Sequence, residues 1–340
     1  MSNQPMVKPE ALRLSDDAEK HYWRNVGYKI IKDWRLYLML LPLLLIFLLW
    51  RYLPLYELVA AFKMNDATQT VLNRDFVGFH NFQSLLFGGD AAEFWMAFRN
   101  TFLLSFYGLL FGFPIPIILA LFFSEIRSNG YRSVLQVASY LPRFVSTVVI
   151  TTLCQMLLSA GSTFSEPGIL SQALSAIGLI SKESAEAGLL YSPQFFRAIY
   201  QVSGIWETAG YGSIVFFAAI IGISPASYEA ARIDGASKMS QIRHVVLPSI
   251  LSTITIMLIL RVGELLTIGY EKVLLLYNNY TYSVADVVST YVFRRAGIQV
   301  GGSPNQAVGS AADLINAVTS MLLVVGANMI SRKASDTSLY

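Results

Sequence analysis

The chain has 340 residues, 54% of them hydrophobic and 14% charged, against about 25% charged in an ordinary soluble domain. That deficit, with a mean hydropathy of +0.50, excludes a disordered tail protein, a nucleic-acid binder with a basic face and most soluble enzymes; the net charge of +3 is too small to argue from globally. The single Cys154 excludes an internal disulfide framework, a four-cysteine zinc site and a CxxC pair, and His21, His80 and His244 are too scattered for a metal-binding motif.

Residues 1–34 are charged throughout and hold no apolar core of a signal peptide. Within them, His21 to Trp34 sets Tyr22, Trp23, Val26, Ile30 and Ile31 among Lys and Arg. That pattern predicts an amphipathic helix on the inner leaflet, with a flexible basic tail as the plainer alternative. A bilayer span needs about 20 mostly apolar residues. Six stretches meet or approach that, at roughly 36–56, 98–123, 137–159, 199–223, 249–277 and 307–330. Pro42 and the other prolines and glycines inside them are tolerable, because neighbouring helices re-satisfy freed backbone groups. The loops at 57–95 and 160–195 are long and face outward if both termini are cytoplasmic; Phe76, Phe79, His80 and Phe82 fit an outer-leaflet helix or loop against the first span, from which no function follows.

Lys and Arg collect in cytoplasmic loops. Seven precede the first span, Arg127 and Arg132 separate spans two and three, Arg232, Lys238 and Arg243 separate spans four and five, and Arg332 and Lys333 follow span six. Six spans with both termini cytoplasmic put all of these on one side. The other side receives chiefly Lys63, Arg74, Lys182, Lys272, Arg294 and Arg295, spread over longer loops.

The loop between spans four and five is patterned. Ser224-Pro225 is a helix start, a capping hydroxyl followed by a residue whose missing N–H costs nothing in the first turn. Gly235 permits a left-handed turn that ends this helix. Ala236 to Val246 then has Met239, Ile242, Val245 and Val246 at helical spacing, and Pro248 marks entry to span five. The loop therefore reads as helix, glycine turn, helix: a rigid bracket. A DNA-binding helix-turn-helix lacks room for a supporting helix here, and Glu229 and Asp234 disfavour simple rest on anionic headgroups. Docking of a soluble partner fits better.

Glu229-Ala230-Ala231, Asp234-Gly235-Ala236, Ile242 and Leu247-Pro248 resemble the EAA loop of permease subunits of ATP-binding-cassette (ABC) importers. The segments from Trp34 to Pro42, Phe98-Arg99-Asn100-Thr101, Phe111-Gly112-Phe113-Pro114, Tyr140-Leu141-Pro142, Ser203-Gly204-Ile205-Trp206 and Gly269-Tyr270-Glu271-Lys272-Val273 are similar to the carbohydrate branch that handles polysaccharide fragments and aldouronates. The likeness covers roughly residues 34–333 and departs from the pattern at Ile242, where an aromatic is common, and at Glu264 and Asp313, where neutral residues are expected. It implies an all-α membrane protein, a type I importer bundle of about six transmembrane helices in the cell membrane. The permease domain would occupy 35–333, between a cytoplasmic segment at 1–34 and a tail at 334–340. Implied partners are a second permease, two ATPase subunits that carry ATP and magnesium, and an extracytoplasmic solute-binding protein, besides the lipid bilayer. No cofactor, metal, catalytic residue or nucleic acid is implied for this chain.

No GxxxxGK[ST] phosphate loop occurs, so energy must arrive by contact. The resemblance implies a coupling set of Glu229, Ala230, Ala231, Asp234, Gly235, Ala236, Leu247 and Pro248, in which Glu229 would anchor the bracket on an ATPase, Ala230 and Ala231 would allow close approach and Gly235 would set the bend. Ionisable groups within spans usually face a partner or a wet cavity; these are Arg143, Glu207, Arg261, Glu264 and Asp313. Arg261 and Glu264 share a helix face, which suits either a structural salt bridge or the substrate path. Glu207, Tyr211 and Trp206 fit sugar recognition, with bundle packing the plainer role for Trp206, and Tyr270, Glu271 and Lys272, near the outer end of span five, fit an outer vestibule or a contact with the binding protein. Arg261 suits a uronic carboxylate, and Cys154 reads as a small core residue. The rival classes are an ABC permease for another solute and a secondary carrier, which would show inverted repeats and leave the bracket unexplained.

Overall fold

The computed structural model describes residues 32–66, 68–161, 166–297 and 304–334. The surface helix expected at 21–34 and the tail beyond Ala334 lie almost wholly outside them. Among the described residues the chain is helical, with one isolated β-bridge, Lys63 to Phe76, and no strand. Four helices are long and apolar enough to cross a membrane: Trp34–Phe62, Ala91–Glu125, Pro193–Ile221 and Gln306–Met329. Two bent pairs, Asn129–Phe144 with Thr147–Leu157 and Lys238–Ser249 with Leu251–Gly263, bring the number to six. The chain divides after Val59 into two compact units. In the first, none of the side chains from Trp34 to Tyr52 is buried.

The prolines shape three spans in one way. π-helical turns occupy Leu48–Tyr52, Gly108–Gly112 and Ile242–Val246, and each ends two residues before a proline: Pro54, Pro114 or Pro248. A proline within a helix has no N–H and its ring crowds the carbonyl four residues back. That carbonyl belongs to Trp50, Leu110 or His244, inside the π turn in every case, where wider i→i+5 bonding relieves the clash.

Two spans expected to be single helices are broken. The third bends by 98° between Phe144 and Thr147. Pro142 lies in a 3₁₀ turn, Val145 and Ser146 are extended, and Ser146 Oγ caps the next helix by accepting from the Val149 N–H. The fifth ends at Gly263 and resumes as the short helix Tyr270–Leu276. Asn316 of the sixth span donates to the carbonyl of Leu266 within that break (2.9 Å), replacing a lost backbone bond.

Buried apolar clusters join these elements in the second unit. Ala120, Phe216, Ile220, Val246 and Ile250 tie spans two, four and five beside the 224–248 loop. Leu104, Phe196, Val273, Leu276, Ala285 and Val287 join spans two and four to the short helix after the break; Cys154 packs half-buried against this cluster. Ala61, Leu85, Phe94, Val288, Tyr291 and Val308 form a third core. Asn100 and Thr101 hold it in register: Asn100 Nδ2 donates to the carbonyls of Ser283 and Asp286, and Thr101 Oγ1 accepts from the Val288 N–H. Nearby, fully buried Asp286 takes two 3.0 Å bonds from Arg294. Where spans three and four cross, a Cβ at Gly210 would lie 2.0 Å from the Ser139 carbonyl oxygen, so only glycine permits that approach.

Candidate functional site

A cavity of about 240 Å³ opens between spans two, four and five. Gly108 and Gly112 of the second span and Gly204 of the fourth leave it room, and Tyr200, Gln201 and Glu207 line the fourth-span wall. The break in span five furnishes the rest. A continuous helix would separate Arg261 from Lys272 by about 16 Å along its axis; the turn at 264–269 brings Arg261, Glu264 and Lys272 onto one cavity wall.

Its charges are mutually paired. Glu207 Oε2 takes a 3.1 Å bond from Lys272 Nζ, and both side chains are 12% exposed. On the other oxygen of the same carboxylate stands Arg143, at 3.7 Å, from the bend in span three. Lys272 also lies 5.4 Å above the Tyr200 ring, and Arg261 pairs with Glu264 at 3.2 Å.

The second feature is the loop between spans four and five. Pro225–Ile233 is helical, and its end closes by two bonds, Ala236 N–H to Ala231 O and Gly235 N–H to Arg232 O, around Gly235 at φ +73°. This is the Schellman arrangement, whose left-handed residue is usually glycine. An added Cβ at Gly235 would meet nothing within 4 Å, so glycine is needed there for its backbone and not for space. The cap differs from expectation: Ser224 makes no side-chain cap bond, so Pro225 at the first helical position marks the start by itself. The second arm is also less regular than its spacing suggested. Ser237 caps Lys238–Gln241, and the π turn at Ile242–Val246 follows because Pro248 demands it.

The loop is fastened at few points. Lys238 pairs with Glu125 at the end of span two (2.6 Å), while Gln241 braces the loop internally by donating to the Ala236 carbonyl. Glu125, Tyr228, Glu229, Arg232 and Lys238 border a groove of about 390 Å³. Burial, with the Glu125 carboxylate nearby, holds the Tyr228 hydroxyl above the usual phenol range. Glu229 and Asp234 are exposed, as are Ile233 (87%) and Met239 (71%).

Residues 112–270, from the middle of span two through this loop to the break in span five, match the family described as binding-protein-dependent transport system inner membrane component. Protein LplB of Bacillus subtilis (strain 168) is 34% identical over 309 residues, 91% of this chain and 92% of LplB. The chain belongs to this family. It is a membrane-spanning permease of an ABC importer. The polygalacturonan/rhamnogalacturonan transport system permease protein YteP of the same organism is 32% identical, over 98% of the permease and 100% of YteP. A bacterial ABC transporter involved in import of the acidic polysaccharide alginate has a solved chain 39% identical to the permease, with a TM-score of 0.77 over 91% of the permease and 99% of that chain.

Of the residues expected on the substrate path, the permease brings Glu207, Arg261 and Glu264 to one cavity. The others stand elsewhere. Tyr211 is exposed and meets Phe144 edge-on at 6.1 Å, and Tyr270 stacks on Phe293 at 4.8 Å. Glu271 is exposed. Neither it nor Trp206 or Asp313 lines the cavity. Arg143 finds its place as a partner of Glu207. Sequence reasoning missed Tyr200, Gln201 and the pairing role of Lys272. A contact between residues 65 apart leaves no periodic trace.

Proposed function

We propose that this permease forms half of the translocation path for an oligosaccharide or polysaccharide fragment delivered by an extracytoplasmic solute-binding protein. It works in the cell membrane beside a second, related permease, and ATP and magnesium are handled by two ATPase subunits rather than by this chain. The 35–333 region is the permease proper, with both termini and the 224–248 bracket facing the cytoplasm. The reading is carried by the polar cavity at the broken fifth span, in a chain 32–39% identical to proteins named for polysaccharide transport.

The mechanism follows from what the bracket touches. Glu229 anchors Pro225–Ile233 on an ATPase subunit, and Ala230, Ala231 and Ala236 present small surfaces for close approach. Asp234-Gly235 and Leu247-Pro248 fix the angles of the two arms. When the ATPases close, the displacement passes through Lys238–Glu125 and the Ala120–Phe216–Val246–Ile250 cluster. These join the three spans that line the cavity, so movement of the bracket changes access to it. Glu207, Arg261 and Glu264 supply hydrogen-bonding and charged groups for sugar hydroxyls and ring substituents, while Tyr211, Tyr270 and Glu271 border the path beyond the cavity.

Reconstituted with its partners, the intact permease should import oligosaccharide only with ATP and the binding protein. Arg261→Met should lower uptake of acidic oligosaccharides; unchanged uptake would remove Arg261 from the path. Import without ATP would return the chain to the carrier class.

A further inference from the structure

The Glu207 carboxylate is shared between two cations from different elements, Lys272 at 3.1 Å and Arg143 at 3.7 Å. Arg261 and Glu264 cancel each other beside it, which leaves the cluster with one cation more than it has anions. An ammonium has three donors. Lys272 spends one on Glu207 and rests against the face of Tyr200, and the cavity adjoins what remains. The excess charge disfavours a purely structural role.

We propose that Lys272 is a specificity-determining residue that receives a carboxylate of an acidic oligosaccharide by exchange with Glu207. The inference rests on the saccharide reading above. As the substrate carboxylate comes onto Lys272 Nζ, the Glu207 side chain withdraws toward Arg143, which already stands at its other oxygen. Total charge pairing is conserved: Lys272 trades an internal anion for the substrate's, and Glu207 keeps Arg143. A neutral sugar offers no replacement anion and must leave the Lys272–Glu207 pair closed. The cavity thereby favours uronic over neutral units, while Arg143 keeps the displaced carboxylate from being stranded.

The test uses the complete transporter in vesicles with its binding protein, ATP, and two probes of equal length: trigalacturonate and its methyl ester, with trimannuronate and its ester in parallel. The readout is the acid-to-ester uptake ratio of each variant divided by that of the wild type. The same binding protein delivers both probes, so its own preference cancels. Lys272→Gln should lower this ratio about tenfold, the loss of one charge-assisted contact, and Lys272→Arg should restore most of it. Glu207→Gln, which removes the internal competitor, should leave the ratio unchanged or raise it.

A salt bridge with only a structural role predicts something else: Lys272→Gln and Glu207→Gln would depress both probes equally, and the double variant would recover both. That outcome, or wild-type uptake of the esters without the acids, overturns the inference and leaves the saccharide reading standing. Wild type that imports neither these acids and esters nor neutral oligosaccharides overturns the saccharide reading itself, and the inference with it. Membrane abundance measured for every variant separates lost transport from lost protein.

Discussion

The cavity and the bracket treat charge in opposite ways. In the cavity Glu207 faces two cations, and it and Lys272 have side chains only 12% exposed. In the bracket Glu229 and Asp234 are exposed, and the Lys238–Glu125 tie joins side chains 63% and 43% exposed. Burial explains the contrast. A charge removed from water is costly unless paired, so Glu207 and Lys272 must be satisfied within the chain, whereas exposed charges, those of the bracket and Arg261 and Glu264 alike, cost little unpaired. The same difference separates their glycines: Gly210, on the fourth span with Glu207, is held by a neighbouring backbone, while Gly235 has open space around it.

Substitutions can sharpen this comparison. The largest effect is expected from Gly210→Ala. With the new Cβ 2.0 Å from a carbonyl oxygen, spans three and four must separate, an overpacking cost of about 3 kcal/mol or more, read as loss of folded protein in detergent. Glu207→Ala should follow, at about 3 kcal/mol, because it strands the largely buried Lys272; thermal unfolding in detergent measures it. Gly235→Ala should cost only about 1 kcal/mol, the strain of a left-handed alanine, and insert normally. Gly235→Asp should insert as well, since aspartate tolerates that conformation, yet lose ATP-driven uptake through collision with the docked ATPase. Normal transport by Gly235→Asp would dismiss the docking role. Glu229→Ala should alter stability by under about 0.5 kcal/mol; a loss matching that of Glu207→Ala would erase the contrast.

Titration gives an independent check away from both regions. Burial, with the Asp90 carboxylate adding to it and Arg295 opposing it, raises the Tyr291 hydroxyl to about 12. A raised folded-state value means the neutral form is favoured in the fold. Its contribution to stability is therefore complete below about pH 10, the ordinary phenol value, and is lost as the pH rises toward 12. Wild type should lose stability more steeply across that window than Tyr291→Phe.

Local signals made much of this legible in the sequence. Apolar length gave the spans, Pro225 gave the bracket's start, and Gly235 gave its turn, because each acts within a few residues of itself. What escaped depends on distant partners. The 249–277 run is apolar enough to look continuous, and its break at Gly263 is stabilised by Asn316, some 50 residues away. Helical periodicity found the Arg261–Glu264 pair but could not find Lys272–Glu207, whose partners lie on different spans. The π turns were hidden although their prolines were visible, since a proline shows where a helix is strained without showing how it yields.

We propose that the bracket, and not the cavity, holds the ATPase. The most direct test is the amount of ATPase recovered with the tagged permease from membranes in mild detergent, compared among wild type, Glu229→Ala with Arg232→Ala, and Lys272→Gln. The bracket pair should lose the ATPase while keeping the second permease, and Lys272→Gln should keep both. Full recovery of the ATPase with the bracket pair, or its loss with Lys272→Gln alone, would contradict the proposal.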